Sequence, residues 1–231
     1  MQLHLLSGGA AAAVVRAVQP AFEADTGCQI VGTYSAVGDM RDQLLAGQPC
    51  DLIILTRTLV DALVASGHVV AGSTRSLGLV KTGIAVKSGT PFPPIATRQD
   101  VLALFSKARG IYFPDAAKAT AGIHFMRVLQ ALGLDQTQRG ALRQYPNGAT
   151  AMREMAANPE PDLVGCTQAT EINYTPGVDY VGNLPPEFEL ATDYTLGVCT
   201  QSARPQLAHL LADWLTGEPT QAVRRQGGFE F

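Results

Sequence analysis

A chain of 231 residues, 46% apolar and only 16% charged, is long enough to bury one large core or two small ones. Its 17 Lys+Arg against 20 Asp+Glu leave a net charge of −3, so no broad basic field exists to hold a nucleic-acid backbone or an anionic membrane. Apolar runs such as Leu52-Ile53-Ile54-Leu55 are strand-length, far short of the roughly 20 residues that cross a bilayer, so membrane insertion is not expected.

In chain order, residues 3–6 read as a strand, and residues 10–24 as a helix in which Val14, Val15, Val18 and Phe22 recur at helical spacing until Thr26-Gly27 stops it. A strand over 28–35, a short helix over 38–46 carrying Met40, Leu44 and Leu45, and a strand over 51–56 follow. Residues 77–87 read as extended, and Gly89-Thr90-Pro91-Phe92-Pro93-Pro94 as a rigid, irregular turn. Beyond it come a strand over 110–113, a helix over 122–132 ended by Gly133, a helix over 148–157, a strand over 162–167, an extended segment over 192–200 and a helix whose apolar stripe is Leu207, Leu210, Leu211, Trp214 and Leu215. Short Val/Ile-rich runs alternating with helical segments predict an α/β protein with a mixed, mostly parallel sheet flanked by helices.

Such sheets deliver strand ends to an edge where the next helix begins with free N–H groups and the positive end of its dipole, so an anion can bind there without a lysine. Four junctions fit: Ser7-Gly8-Gly9-Ala10, Ala36-Val37-Gly38, Thr120-Ala121-Gly122, and Gly148 with Asn147 as a plausible cap before it. No Gly-Lys-Ser/Thr closes any of them and no GxGxxG occurs, which removes the usual support for nucleotide binding. Cys28, Cys50, Cys166 and Cys199 form no CxxC and read as buried thiols, while His4, His68, His124 and His209 lie far apart. No metal and no cofactor is therefore expected. Nothing at Met1-Gln2-Leu3-His4-Leu5-Leu6 resembles a secretory leader, so the chain is periplasmic if a leader has been removed and otherwise cytoplasmic.

The opening strand, turn and helix through Phe22-Glu23-Ala24-Asp25-Thr26-Gly27, the segment Ala46-Gly47-Gln48-Pro49-Cys50-Asp51-Leu52-Ile53-Ile54, the pair Ala121-Gly122-Ile123 and Val128-Leu129-Gln130-Ala131-Leu132-Gly133, and the closing Gly228-Phe229 together resemble the class II periplasmic solute-binding proteins, in particular the molybdate-binding proteins, nearly end to end. The resemblance implies two lobes, 1–81 with 193–231 and 82–192, joined by two strands and closing on a small anion like a hinge. It also implies a monomer serving an ABC-type permease. The family's site lies at the same four helix starts, with one polar residue after the strand over 162–167. Molybdate binders carry hydroxyls where this chain has Ala10 and Val37, and a tyrosine where it has Cys166 or Thr167. Each missing bond to a buried charge costs roughly 1.5–3 kcal/mol, so molybdate is the poorer fit. The chain offers Ser7, Thr120, Thr167, Gln168 and Glu171 instead, and a side-chain amide and hydroxyls beside backbone N–H groups suit an organic carboxylate. The chain is equally similar to a branch acting as cofactor-free isomerases of small acids such as aconitate, for which Glu171 and His124 are the candidate proton-transfer residues.

Overall fold

The structure, a computed structural model, describes residues 1–231 and divides into two compact units, Met1–Val80 with Thr192–Phe231, and Lys81–Ala191. The first unit opens with β1 (Gln2–Gly8), α1 (Ala12–Thr26), β2 (Gln29–Ser35), α2 (Val37–Leu45), β3 (Leu52–Thr56) and α3 (Arg57–Ala65). The long strand β4 (Arg75–Lys87) carries the chain into the second unit. There follow α4 (Arg98–Lys107), β5 (Gly110–Pro114), α5 (Thr120–Ala131), the single turn α6 (Leu134–Thr137), β6 (Leu142–Tyr145), α7 (Gly148–Ala157), β7 (Leu163–Gln168), α8 (Ala169–Asn173) and β8 (Val178–Asn183). Strand β9 (Ala191–Val198) returns to the first unit, which ends with α9 (Pro205–Thr216), α10 (Gln221–Gly227) and β10 (Phe229–Glu230). No helix is long and apolar enough to cross a membrane.

In the first unit the strands run β2-β1-β3-β9-β4, with β1 parallel to β2 and β3, β9 antiparallel to β3, and β10 antiparallel to β4. Leu52, Ile53, Ile54 and Leu55 are all fully buried, which is why β3 reads as an unbroken apolar run: both its faces are covered. Helix α1 turns Val14, Val15, Val18 and Phe22 inward, and Gly27 ends it in the left-handed conformation at φ 64°. Phe22 meets Trp214 of α9 edge-to-face at 5.6 Å, so the last long helix packs on the first.

The second unit's sheet runs β4-β7-β5-β6, with β5 parallel to β6 and β7, β4 antiparallel to β7, and β8 pairing with β4. Strand alternation splits its core in two. Ile111, Phe113, Val164 and Cys166 join Phe105 and Phe125 on one face, while Tyr112 and Leu163 join Met152 and Met155 on the other. The chain is thus an α/β protein with mixed sheets flanked by helices. Several elements lie outside the expectation from sequence: α3, α4, β6 and β8 had no reading, and α5 begins at Thr120, two residues before the glycine taken as its start.

Candidate functional site

In the first unit the parallel register sets Gly8 beside Ser35 and Ser7 beside Ile54, so the carboxyl ends of β1, β2 and β3 share one edge. A helix starts from each. The 3-10 turn at Gly9 leads into α1, α2 follows N-cap Ala36, and α3 follows N-cap Thr56; none of the three starts is capped by a side chain. Helix α4 differs, with a full capping box between Thr97 and Asp100. Three adjacent uncapped starts concentrate unsatisfied N–H groups and positive dipole ends, the usual requirement for holding an anion by backbone.

Side chains at this edge are mostly small and inward. Ser7 is fully buried and its hydroxyl donates to the Gly8 carbonyl at 2.9 Å, and Ala10, Ala36 and Val37 are buried. A Cβ on Gly8 would lie 2.7 Å from Val37 Cγ1, so this glycine lets the start of α2 approach β1. A cation here that the sequence does not single out is Arg57, the first residue of α3. Its Nε donates to Asp193 Oδ2 at 2.6 Å, with the side chain 45% exposed. No protein acceptor engages its terminal NH2 groups. The signal was present in the sequence as a charged residue directly after an apolar strand, but no glycine marked the junction.

Asp193 also accepts Ser76 Oγ at 2.6 Å and Thr195 Oγ1 at 3.1 Å. Partial burial alone would raise its pKa, but the hydrogen bonds from Ser76, Arg57 and Thr195 and the Arg57 charge outweigh this and hold it below the ordinary 3.8. A lowered carboxylate pKa adds stability above the unfolded value and loses it as the pH falls through the folded one. Asp193→Asn is therefore expected to flatten the acid limb of a stability–pH curve below about pH 4, read by denaturant unfolding at successive pH values.

The second unit repeats the arrangement with a different outcome. Pro114 is in register with Tyr145 and Gly110 with Leu163, so β5, β6 and β7 also end on one edge. Before α5, Asp115 Oδ1 accepts the N–H groups of Ala117 and Lys118, while N-cap Ala119 offers no side-chain bond, leaving the first turn at Thr120, Ala121 and Gly122 uncapped. Gly122 is obligatory: a Cβ there would sit 2.3 Å from the carbonyl oxygens of Pro114 and Asp115. The α7 start is closed. Asn147 Oδ1 accepts Thr150 N–H at 2.8 Å, and the buried Glu171 carboxylate accepts the N–H groups of Gly148, Ala149 and Gln168 plus the Thr167 hydroxyl at 2.6 Å. Gly148 and Glu171, both expected from sequence to face a ligand, lie against each other.

Burial raises the Glu171 pKa, and the bonds from Thr167, Ala149, Gly148 and Gln168 only partly offset it. The sign is opposite to that of Asp193: a raised carboxylate pKa withdraws stability as pH climbs above the unfolded value. His124, on α5, has its Nε2 on the Phe188 carbonyl oxygen at 2.7 Å; a carbonyl can only accept, so this nitrogen carries the proton. Neither proton-transfer candidate stands unengaged. Asn147→Ala should cost about 1 kcal/mol through loss of the cap, measurable as a shifted urea midpoint at unchanged slope. The loss should be smaller than for an isolated cap because Glu171 still covers two of the N–H groups.

The sequence pattern of the bacterial extracellular solute-binding proteins matches residues 3–230, nearly the whole chain. The chain belongs to that family. Among solved solute-binding structures it is similar to the periplasmic molybdate-binding protein of Azotobacter vinelandii, with a TM-score of 0.81 and 17% identity, each chain covered to 99%. It is also similar to a sulfate-binding protein of Mycobacterium tuberculosis, with a TM-score of 0.77 and 17% identity, over 99% of this chain and 86% of that one. Among characterised sequences it shares 27% identity with an aconitate isomerase of Pseudomonas, over 99% of this solute-binding protein and 87% of the isomerase.

Proposed function

We propose that this solute-binding protein holds a small organic carboxylate at the uncapped helix starts of its first unit, with the Arg57 guanidinium as the charged contact. The carrying observation is that three helix starts without a side-chain cap share an edge with an arginine whose terminal NH2 groups have no protein partner. A planar carboxylate matches the two-pronged guanidinium, and backbone N–H groups can take its remaining oxygens. A tetrahedral oxyanion fits less well, because the hydroxyls it would use are replaced by buried Ala10 and Val37. Unit closure on the ligand, a periplasmic location and delivery to an ABC-type permease complete the reading. X-ray scattering with and without ligand tests the closure.

A thermal-shift panel tests the ligand class. Citrate, cis- and trans-aconitate and small dicarboxylates are set against molybdate, tungstate and sulfate. A ligand at 100 times its Kd stabilises by about 2.7 kcal/mol, roughly 5–10 °C for a protein of this size. Shifts with the oxyanions and none with the acids would overturn the proposal.

A second reading, a cofactor-free isomerase of a tricarboxylic acid, is favoured by the 27% identity to an aconitate isomerase. Against it stand the engaged Glu171 and His124. Incubation with cis-aconitate, followed for the trans isomer, decides between turnover and binding alone.

A further inference from the structure

Two of the four cysteines meet in the first unit, 149 positions apart in the chain, at a place unrelated to the strand-end edge. Cys50 precedes β3 and Cys199 follows β9, and the antiparallel pairing of these strands carries one step further, with Cys199 N–H donating to the Asp51 carbonyl at 3.0 Å. The Cys50 thiol donates to the Leu52 carbonyl at 3.2 Å and interacts with the Cys199 thiol. Both are free thiols. Both also line one cavity of about 340 Å³, walled by Leu44, Leu45, Gln48 and His68. Cys28 and Cys166 are buried without appearing in its wall.

We propose that Cys50 and Cys199 are an oxidisable dithiol that closes to a disulfide, reached by a small peroxide through this cavity. Cys50, the more exposed of the pair, reacts first. Its sulfur attacks one peroxide oxygen, the O–O bond breaks, the thiol proton passes to the departing oxygen and water leaves, giving a sulfenic acid. Cys199 then attacks the Cys50 sulfur, the S–O bond breaks, and the second thiol proton leaves with that oxygen as a second water. Two thiols are oxidised by one peroxide, which is reduced to two waters. The hydrogen bond to Cys50, with burial, pushes the Cys199 thiol pKa far up, so Cys199 is the resolving partner and not the first nucleophile. The paired strands bring both thiols to the wall of one cavity, one residue out of direct register, within the span that a disulfide has to bridge between neighbouring strands.

Hydrogen peroxide at low stoichiometry, followed by intact-mass measurement and peptide mapping under non-reducing conditions, tests this. The expected product has lost two hydrogen atoms, contains a cross-linked Cys50–Cys199 peptide, and returns to the starting mass with a thiol reductant. A variant with Cys28→Ser and Cys166→Ser should still cross-link, and Cys50→Ser or Cys199→Ser should not. The oxidised protein should melt about 5 °C or more above the reduced one, because the bond closes a long loop of the unfolded chain. Unchanged wild-type protein, over-oxidation of Cys50 beside a free Cys199, a cross-link to Cys28 or Cys166, or a lower melting temperature after oxidation would each overturn the proposal. Mapping of the wild type decides the matter even if a serine variant fails to fold.

Discussion

Gly148→Ala is expected to lower the melting temperature by roughly 10 °C. A Cβ at this position would lie 1.9 Å from Thr167 Oγ1 and 2.0 Å from Glu171 Oε2. The backbone itself is not strained, because Gly148 is not among the positive-φ glycines. The cost is therefore one of volume and broken bonds. Thr167 is fully buried and Glu171 nearly so, so neither can swing into solvent, and pushing the carboxylate aside leaves the N–H groups of Gly148, Ala149 and Gln168 without their acceptor. Overpacking costs about 1–3 kcal/mol and each orphaned donor about 1–3 more, for a total of about 3–5 kcal/mol after partial relaxation. Measured by calorimetry in a Glu171→Ala background, the added methyl should cost clearly less, because one of its two obstacles is gone. Additive effects would show that the glycine and the carboxylate do not share this corner.

Arg57→Ala is expected to weaken binding of the best acid in the panel by about 10- to 100-fold, as for loss of a charge-assisted hydrogen bond worth about 1.5–3 kcal/mol. Stability should hardly move. The Arg57–Asp193 pair has an arginine side chain 45% exposed, where ion pairs contribute little. Arg57→Lys should fall between wild type and alanine, since lysine keeps the charge but not the planar fork. Asp193→Asn keeps a hydrogen-bond acceptor beside Arg57 and should bind at least as tightly as wild type, because a competing carboxylate is removed. Isothermal titration of the four proteins separates these outcomes, and equal affinity in wild type and Arg57→Ala would remove Arg57 from the site.

Local pattern carried much of this architecture into view. Val14, Val15, Val18 and Phe22 sit at helical spacing and are all buried on α1, and the run Leu52–Leu55 is unbroken because its strand is covered on both faces. The half-exposed strand β6 alternates nothing: Leu142-Arg143-Gln144-Tyr145 could equally be a loop until β5 is found beside it. The site was legible as glycine-rich junctions and illegible in what those glycines are for. Gly8 makes room for Val37, 29 positions away, and Gly148 makes room for Thr167 and Glu171, about 20 away. A residue lacking a side chain looks the same in sequence whether a ligand or a distant carboxylate occupies the vacated space. Arg57 was hidden for the reverse reason, because charged residues after strands are common and only the shared strand edge distinguishes this one.

Residues 81–191 form one uninterrupted stretch enclosed in sequence by the two parts of the other unit, and this sets an order of biosynthesis. The ribosome releases everything the second unit needs before β9 exists. Until then β3 lacks an antiparallel partner and shows the bare edge of Leu52, Ile53, Ile54 and Leu55, while Phe22 lacks Trp214. Unpaired apolar edges are templates for association with other chains. Nascent chains stalled before Thr192 should therefore carry a finished second unit behind a sticky, half-built first one. Residues 192–231 are then expected to supply the closing step of the first unit's folding, with the need for shielding of strand edges greatest before they emerge.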